Sequence, residues 1–179
     1  INALAQTYYQ TTENSAEARL EAAIIQANAN AVQKNRHENA SSTLVAATIY
    51  AGKLYVAHVG DSRAYLIRNG QVQRLTEDHA LGNRLTRYLV STNDFPPTMH
   101  PAIKLERGDR VLLCSDGLFR PIKDQTALLN IIQTYRAEEA AYRLIGLANA
   151  GGGHDNISVV LAYVDEASVE RRPGRWESL

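Results

Sequence analysis

Residues 43–75 form the stretch that decides the fold, TLVAATIYAGKLYVAHVGDSRAYLIRNGQVQRL. Short runs rich in β-branched and aromatic residues alternate there with turn residues, including Ala51-Gly52-Lys53 and Asn69-Gly70. Asn-Gly between two such runs is a strong signal of a tight hairpin. The stretch therefore predicts an antiparallel meander of four strands, at residues 43–50, 54–59, 64–68 and 71–75.

Helices and further strands flank this meander. Upstream, Asn14 and Glu17 have the spacing of a capping box, and alanine-rich sequence with apolar residues at helical spacing follows to residue 31. Downstream, the sequence predicts helices at residues 81–89, 124–133 and 137–149, and strands at residues 103–105, 110–114 and 157–164. The last strand is apolar on nearly both faces, so we expect it to be central in its sheet. The layout is that of an α+β protein with antiparallel sheet and helices on the outer faces.

Three short acidic turns stand at the ends of these strands. Asp61, in Gly60-Asp61-Ser62, and Asp116, in Ser115-Asp116-Gly117, each follow an apolar run, whereas Asp155, in His154-Asp155-Asn156, precedes one. If the last strand runs antiparallel to the other two, the three carboxylates emerge at the same end of the sheet. Two carboxylates about 4 Å apart repel by roughly 4 kcal/mol at an effective dielectric of ~20. Mg²⁺ or Mn²⁺ removes that repulsion, so the turns predict a metal site.

Composition restricts the function classes. The chain has 179 residues, a size suited to one domain, and 19 basic residues balance 19 acidic ones. A formal net charge of zero gives no global field that would recruit nucleic acid or an anionic membrane, and no apolar stretch approaches the length of a membrane span. The single cysteine, Cys114, lies in an apolar strand, which favours a buried residue and a reducing, cytoplasmic setting. Residue 1 is isoleucine, so we expect the chain to begin inside a longer product.

Four motifs, in order along residues 16–164, resemble those of the metal-dependent serine/threonine protein phosphatases (type 2C, or PPM family), with a bacterial character. They are Val59-Gly60-Asp61-Ser62-Arg63-Ala64-Tyr65, Leu75-Thr76-Glu77-Asp78-His79, Cys114-Ser115-Asp116-Gly117-Leu118 and Gly153-His154-Asp155-Asn156-Ile157. The resemblance implies a four-layer αββα sandwich of two antiparallel sheets flanked by helices. It also implies hydrolysis of phosphoserine and phosphothreonine in proteins by a metal-activated water, and a serine/threonine kinase as the functional counterpart.

The same resemblance implies a role for individual residues. Asp116 and Asp155 match the aspartates that hold a centre of two Mn²⁺ or Mg²⁺ ions, and Asp61 matches an aspartate that helps to hold a third, weaker metal. Gly117 and Asn156 match neighbours that support these ligands.

Two departures from the family pattern leave alternatives open. The family's first metal motif, an Asp-Gly pair before the first long helix, has no match in residues 1–13, which contain no aspartate and no glycine. The flap after His79 is also short, since residues 80–83 alone bridge it. We therefore expect an N-terminally incomplete phosphatase domain at residues 1–164, lacking its N-terminal strands, and a charged tail or linker at residues 165–179. The alternatives are part of an active enzyme and a catalytically impaired pseudophosphatase that acts as a regulatory or docking module.

Overall fold

The computed structural model describes residues 2–34, 41–82, 84–90 and 96–165. The helices are α1 (Asn2–Gln10), α2 (Ala16–Lys34), α3 (Asp116–Phe119), α4 (Gln125–Thr134) and α5 (Ala137–Ala150). The strands are β1 (Leu44–Tyr50), β2 (Lys53–Val59), β3 (Arg63–Arg68), β4 (Gln71–Arg74), β5 (Ala80–Leu81), β6 (Arg84–Leu85), β7 (Thr98–Lys104), β8 (Arg110–Cys114) and β9 (Val159–Tyr163). Nearly all of the predicted tail lies outside the described residues. Within those residues, none of the helices combines the length and apolar character needed to cross a membrane.

The predicted meander is divided between two sheets. Strands β1, β2 and β7 form a three-stranded antiparallel sheet in that order, while the second sheet has the order β4-β3-β8-β9. The four strands were predicted correctly, but the expectation of one continuous meander was wrong. The chain leaves the first sheet after Val59 and enters the second at Arg63, so Gly60-Asp61-Ser62 is the crossing between sheets.

The two sheets face each other across an apolar core. Leu54 and Val56 of β2 pack there with Leu66 of β3 and Val111 of β8, and all four are buried. Alternate residues of the same strands, which point to the opposite faces, are also apolar. Both faces of each sheet are therefore covered.

Helices cover the outer faces. On the first sheet, Leu20 and Ile24 of α2 pack against Ala57 and Val59 of β2. On the second, a separate cluster joins β3 and β8 to α4 and α5, through Ile67, Leu112, Cys114, Leu128, Ile132, Leu144 and Ala148. This is the predicted four-layer αββα arrangement.

The start of α2 differs in detail from the sequence prediction. The hydroxyl of Ser15, rather than the side chain of Asn14, accepts a hydrogen bond from the Ala18 amide at 3.1 Å. Helix α1, which precedes it and contributes Leu4 and Tyr8 to the same packing layer, was not predicted.

Two further expectations were wrong. Residues 81–89 do not form a helix; β5 and β6 pair as a short antiparallel hairpin, and Leu89 then pairs with Ser42 in an isolated bridge. Gly82, with a φ of +60°, suits that hairpin turn better than a helix interior. Strand β9 pairs only with β8 among the described strands, so it is an edge strand there, and Val160 is 59% exposed.

Candidate metal centre

Asp116 and Asp155 lie at the same end of the second sheet, where β8 ends and β9 begins. Strands β8 and β9 are antiparallel, with Cys114 opposite Val159, so the end of β8 and the start of β9 coincide. Asp116 begins α3 immediately beyond β8, and Asp155 lies in the loop that leads into β9. Both line one cleft of about 330 Å³. The antiparallel direction of β9 thus brings these two of the three aspartates to the same end of the sheet, while their use as metal ligands stays a prediction.

The loops that carry these aspartates are tied together through the main chain. The Ser115 hydroxyl donates to the Asn156 carbonyl at 3.1 Å and accepts from the Ser158 amide at 2.9 Å. A Cβ atom added at Gly117 would lie 2.3 Å from the Asn156 carbonyl oxygen, so only glycine permits this approach. Gly117 and the Asn156 backbone thus hold together the loops that carry Asp116 and Asp155, and Ser115 is a partner that the sequence reading missed.

Asp61 joins the same site from the crossing between the sheets. Its side chain is 11% exposed, and its Oδ2 atom accepts a hydrogen bond from Nη2 of Arg120 at 3.1 Å. Nε of Arg120 lies 3.0 Å from Oδ2 of Asp116. One guanidinium therefore bridges two of the three predicted ligands.

The charges at this edge act on the protonation of Asp116. Burial raises the pKa of its carboxyl above the usual value, and the nearby Asp61 and Asp155 carboxylates raise that pKa further. Arg120 and a hydrogen bond from the Gly117 amide act in the opposite direction. The three carboxylates are thus close enough to influence one another, which is the electrostatic situation that a bound cation relieves.

The donor set fits an oxygen-preferring divalent cation in its chemistry. Asp61, Asp116 and Asp155 offer carboxylate oxygens, the ligand type of Mg²⁺ and Mn²⁺. In the described part of the chain, no group of three or more His, Cys, Asp or Glu side chains converges closely enough to hold a metal ion. Arg120 bonds to two of the carboxylates instead.

The segment from Thr76 to His79 holds the crossing in place. The His79 amide donates to the Gly60 carbonyl at 3.0 Å, and the Gly60 amide donates to Nδ1 of His79 at 3.1 Å. Gly60 has a φ of +99°, and a Cβ atom there would lie 2.4 Å from the Thr43 side chain, so the position requires glycine. The hydrogen bonds to His79 and the close approach of Thr43 therefore fix the conformation of Gly60, the residue before Asp61.

Further contacts join the same segment to β3. Asp78 accepts two hydrogen bonds from Arg63, at 3.0 and 2.6 Å, and a third from Arg74. The Thr76 hydroxyl accepts from the Ala64 amide at 3.2 Å. The whole Thr76-Glu77-Asp78-His79 motif thus braces the residues around Asp61, a role that the sequence reading did not assign to it.

The remaining histidines and the cysteine differ in their environments. His58 is buried and bonded through Nε2 to the Glu77 carbonyl at 2.7 Å, and its ring stacks on that of His79 with the ring centroids 4.5 Å apart. His154 lines the cleft. Burial raises the pKa of the Cys114 thiol to about 12, which agrees with a buried hydrophobe and not a nucleophile.

Arg120 is the main site residue that sequence reasoning missed. It follows Asp116 by four residues, and the Arg120 amide bonds to the Asp116 carbonyl at 3.0 Å, so the helical turn places both side chains on one face. This i,i+4 acid–base spacing was a readable signal. The contact of Arg120 with Asp61 could not be read from the sequence, because Asp61 lies in the crossing between the two sheets.

Sequence comparison identifies the family of the chain. Residues 2–147 match the family model of protein phosphatase 2C. The chain is 35% identical over 145 residues to the serine/threonine protein phosphatase PstP of Mycobacterium tuberculosis, covering 71% of this chain and 28% of PstP. It is 34% identical over 146 residues to the serine/threonine phosphatase stp of Listeria monocytogenes, covering 69% of this chain and 57% of that protein. The chain therefore spans between 28% and 57% of the length of these two relatives.

Comparison with solved structures gives the same result. The catalytic domain of PstP in complex with two manganese ions superposes with a TM-score of 0.81 at 32% identity, covering 92% of this chain and 78% of that one. The phosphatase MsPP of Mycobacterium smegmatis in complex with cacodylate gives a TM-score of 0.79 at 26% identity, covering 91% and 79%. On the match of sequence and fold together, the chain belongs to the protein phosphatase 2C family.

Proposed function

We propose that this chain is the catalytic part of a protein serine/threonine phosphatase that depends on Mn²⁺ or Mg²⁺. The observation that carries the proposal is the meeting of Asp116 and Asp155 in one cleft, on loops joined by Ser115 and Asn156, in a member of the protein phosphatase 2C family. Two manganese ions in the structure of the PstP catalytic domain support the choice of metal.

Asp116 and Asp155 would hold the metal ions, with Gly117 and Asn156 keeping the two loops in contact and Asp61 available beside them. When bound, such ions neutralise phosphate charge and lower the pKa of water. The chain's own contribution is to fix its carboxylates at one sheet edge and to leave an open cleft beside them. Lys123 and His154 also line this cleft.

Phosphoserine and phosphothreonine in proteins are the proposed substrates, and a serine/threonine kinase is the proposed counterpart. The names of the related phosphatases support this substrate class. We further propose a cytoplasmic setting, from the unpaired and buried Cys114, and a phosphatase domain at residues 1–164 followed by a tail at residues 165–179.

Release of phosphate from a phosphothreonine peptide, titrated with Mn²⁺, tests the proposal. We expect Mn²⁺-dependent release by the unmodified chain, and its loss in Asp116→Ala and Asp155→Ala. Circular dichroism and the thermal midpoint establish whether each variant is folded. Glu139→Ala, on the exposed face of α5, is the matched control for loss of a carboxylate remote from the site.

Full activity in both folded aspartate variants would contradict the proposed metal centre. A folded chain that binds Mn²⁺ and releases no phosphate would indicate either a part of an active enzyme that lacks the first metal motif or a pseudophosphatase.

A further inference from the structure

The side chain of Arg120 is positioned as a resident counter-ion for two carboxylates at once. Its Nη2 atom lies 3.1 Å from Oδ2 of Asp61, and its Nε atom lies 3.0 Å from Oδ2 of Asp116. Helix α3 fixes the starting point of this side chain, because the Arg120 amide bonds to the Asp116 carbonyl. The guanidinium therefore links the crossing between the sheets to the edge of the second sheet.

The two carboxylates are less exposed to solvent than the guanidinium that bonds to them. The side chains of Asp61 and Asp116 are 11% and 24% exposed, whereas that of Arg120 is 47% exposed. The carboxylates lie inside, and the guanidinium covers them from the solvent side. Since an inner carboxylate without a partner is costly, the pair needs a cation at this position, and Arg120 supplies one.

A divalent cation at the same place would compete with this guanidinium. The guanidinium lies within 3.1 Å of Oδ2 of Asp61 and 3.0 Å of Oδ2 of Asp116, so a metal bound between these two atoms would have to displace it. An arginine side chain stays protonated at all accessible pH values, so the competition is not removed by a change of pH.

We propose that Arg120 determines the metal stoichiometry of this site, by occupying the Asp61–Asp116 position that would otherwise accept an additional divalent cation. Arg120 is then a specificity-determining residue, and Asp61 is not a metal ligand while Arg120 bonds to both Asp61 and Asp116 (the Arg120 bridge). The inference rests on the proposed metal use of Asp116. It differs from that function in predicting tighter metal binding when a residue of the site is removed.

Lys123 provides the matched comparison. It lines the same cleft as Arg120 and carries the same formal charge. Removing Lys123 lowers the positive field of the cleft without opening the bridge. A gain in metal affinity that is specific to Arg120 therefore reports the bridge and not the general charge.

The test is direct Mn²⁺ binding by the full 179-residue chain, measured from the electron paramagnetic resonance signal of free Mn²⁺, without substrate. We expect Arg120→Ala to bind Mn²⁺ at least about tenfold more tightly, or at one more site, because two charge-assisted hydrogen bonds no longer compete. Adding Asp61→Asn to Arg120→Ala should remove the gain. Lys123→Ala should give a smaller gain than Arg120→Ala, since it changes only the charge of the cleft.

Three results would overturn the inference: no gain in Arg120→Ala, an equal gain in Lys123→Ala, or a gain in Arg120→Ala that persists when Asp61→Asn is added. If Arg120→Ala is unfolded by circular dichroism, Arg120→Met keeps the apolar part of the side chain and gives the same test. Phosphate release by the unmodified chain is a separate measurement, so a failure of the proposed function is distinguishable from a failure of this inference.

Discussion

His79 and Gly60 are joined by two hydrogen bonds, one between their backbones and one between the Gly60 amide and the His79 side chain. The His79 amide donates to the Gly60 carbonyl at 3.0 Å, and Nδ1 of His79 accepts from the Gly60 amide at 3.1 Å. Because Nδ1 is the acceptor, Nε2 carries the proton and can donate to the Thr98 hydroxyl at 3.0 Å. One imidazole thereby ties the residue before Asp61 to strand β7.

Substitution of His79 by asparagine or glutamine separates its two hydrogen bonds. Asparagine places an acceptor near the position of Nδ1, whereas glutamine places a polar group near the position of Nε2. We expect Gly60 amide exchange to be about fivefold faster in His79→Gln than in the unmodified chain, since one hydrogen bond is worth roughly 1 kcal/mol. His79→Asn should retain protection. Hydrogen exchange of the Gly60 amide by NMR measures this, and equal exchange in both variants would contradict the assigned role of Nδ1.

Stability should fall as the pH is lowered from about 6.5 towards 4. Burial, His58 and Arg87 lower the pKa of His79 to about 4, with Asp78 opposing them, and burial also lowers the pKa of His58. The unfolded chain, in which histidine titrates near 6.5, binds more protons in this interval, so acid favours unfolding. Urea unfolding between pH 7 and pH 4.5 measures the slope. His79→Asn should show a shallower slope, and an identical slope would refute the contribution of this histidine.

Gly117→Ala should disturb the contact between the two aspartate loops. The new Cβ atom would lie 2.3 Å from the Asn156 carbonyl oxygen, which is a backbone atom that cannot rotate away. We expect a loss of about 1–3 kcal/mol in the free energy of unfolding, together with weaker Mn²⁺ binding. Gly146→Ala is the control, because nothing lies within 4 Å of the added Cβ atom in helix α5. That variant should be more stable by about 0.5–1 kcal/mol, with Mn²⁺ binding unchanged.

Asp109→Ala should reduce stability without affecting the metal site. Asp109 is 1% exposed and accepts hydrogen bonds from Arg68 at 2.7 and 2.6 Å and from the Glu106 amide at 2.8 Å. Removing this carboxylate leaves Arg68 without its inner partner, at a cost of about 3 kcal/mol. Chemical denaturation measures the loss, and Mn²⁺ titration of the folded variant should match that of the unmodified chain. A change in Mn²⁺ affinity would contradict the prediction, because it would mean that the loss of Asp109 before β8 alters the position of Asp116 after β8.

The sequence by itself determined those features that depend on neighbours along the chain. Alternating apolar runs and the Asn69-Gly70 turn located the strands, Asp124 was recognisable as the start of α4, and the Ser115-Asp116-Gly117 turn placed a carboxylate at a strand end. The resemblance to the phosphatases added the four-layer arrangement.

Tertiary structure decided the features that depend on which strands pair across long separations. It divided the meander between two sheets at Asp61, placed β9 at an edge of the described sheet, and converted the helix expected at residues 81–89 into a hairpin. It also brought Arg120 to Asp61 and His79 to Gly60. Local propensity and hydrophobic period carry no information about these contacts, because they arise from the packing of one sheet on another.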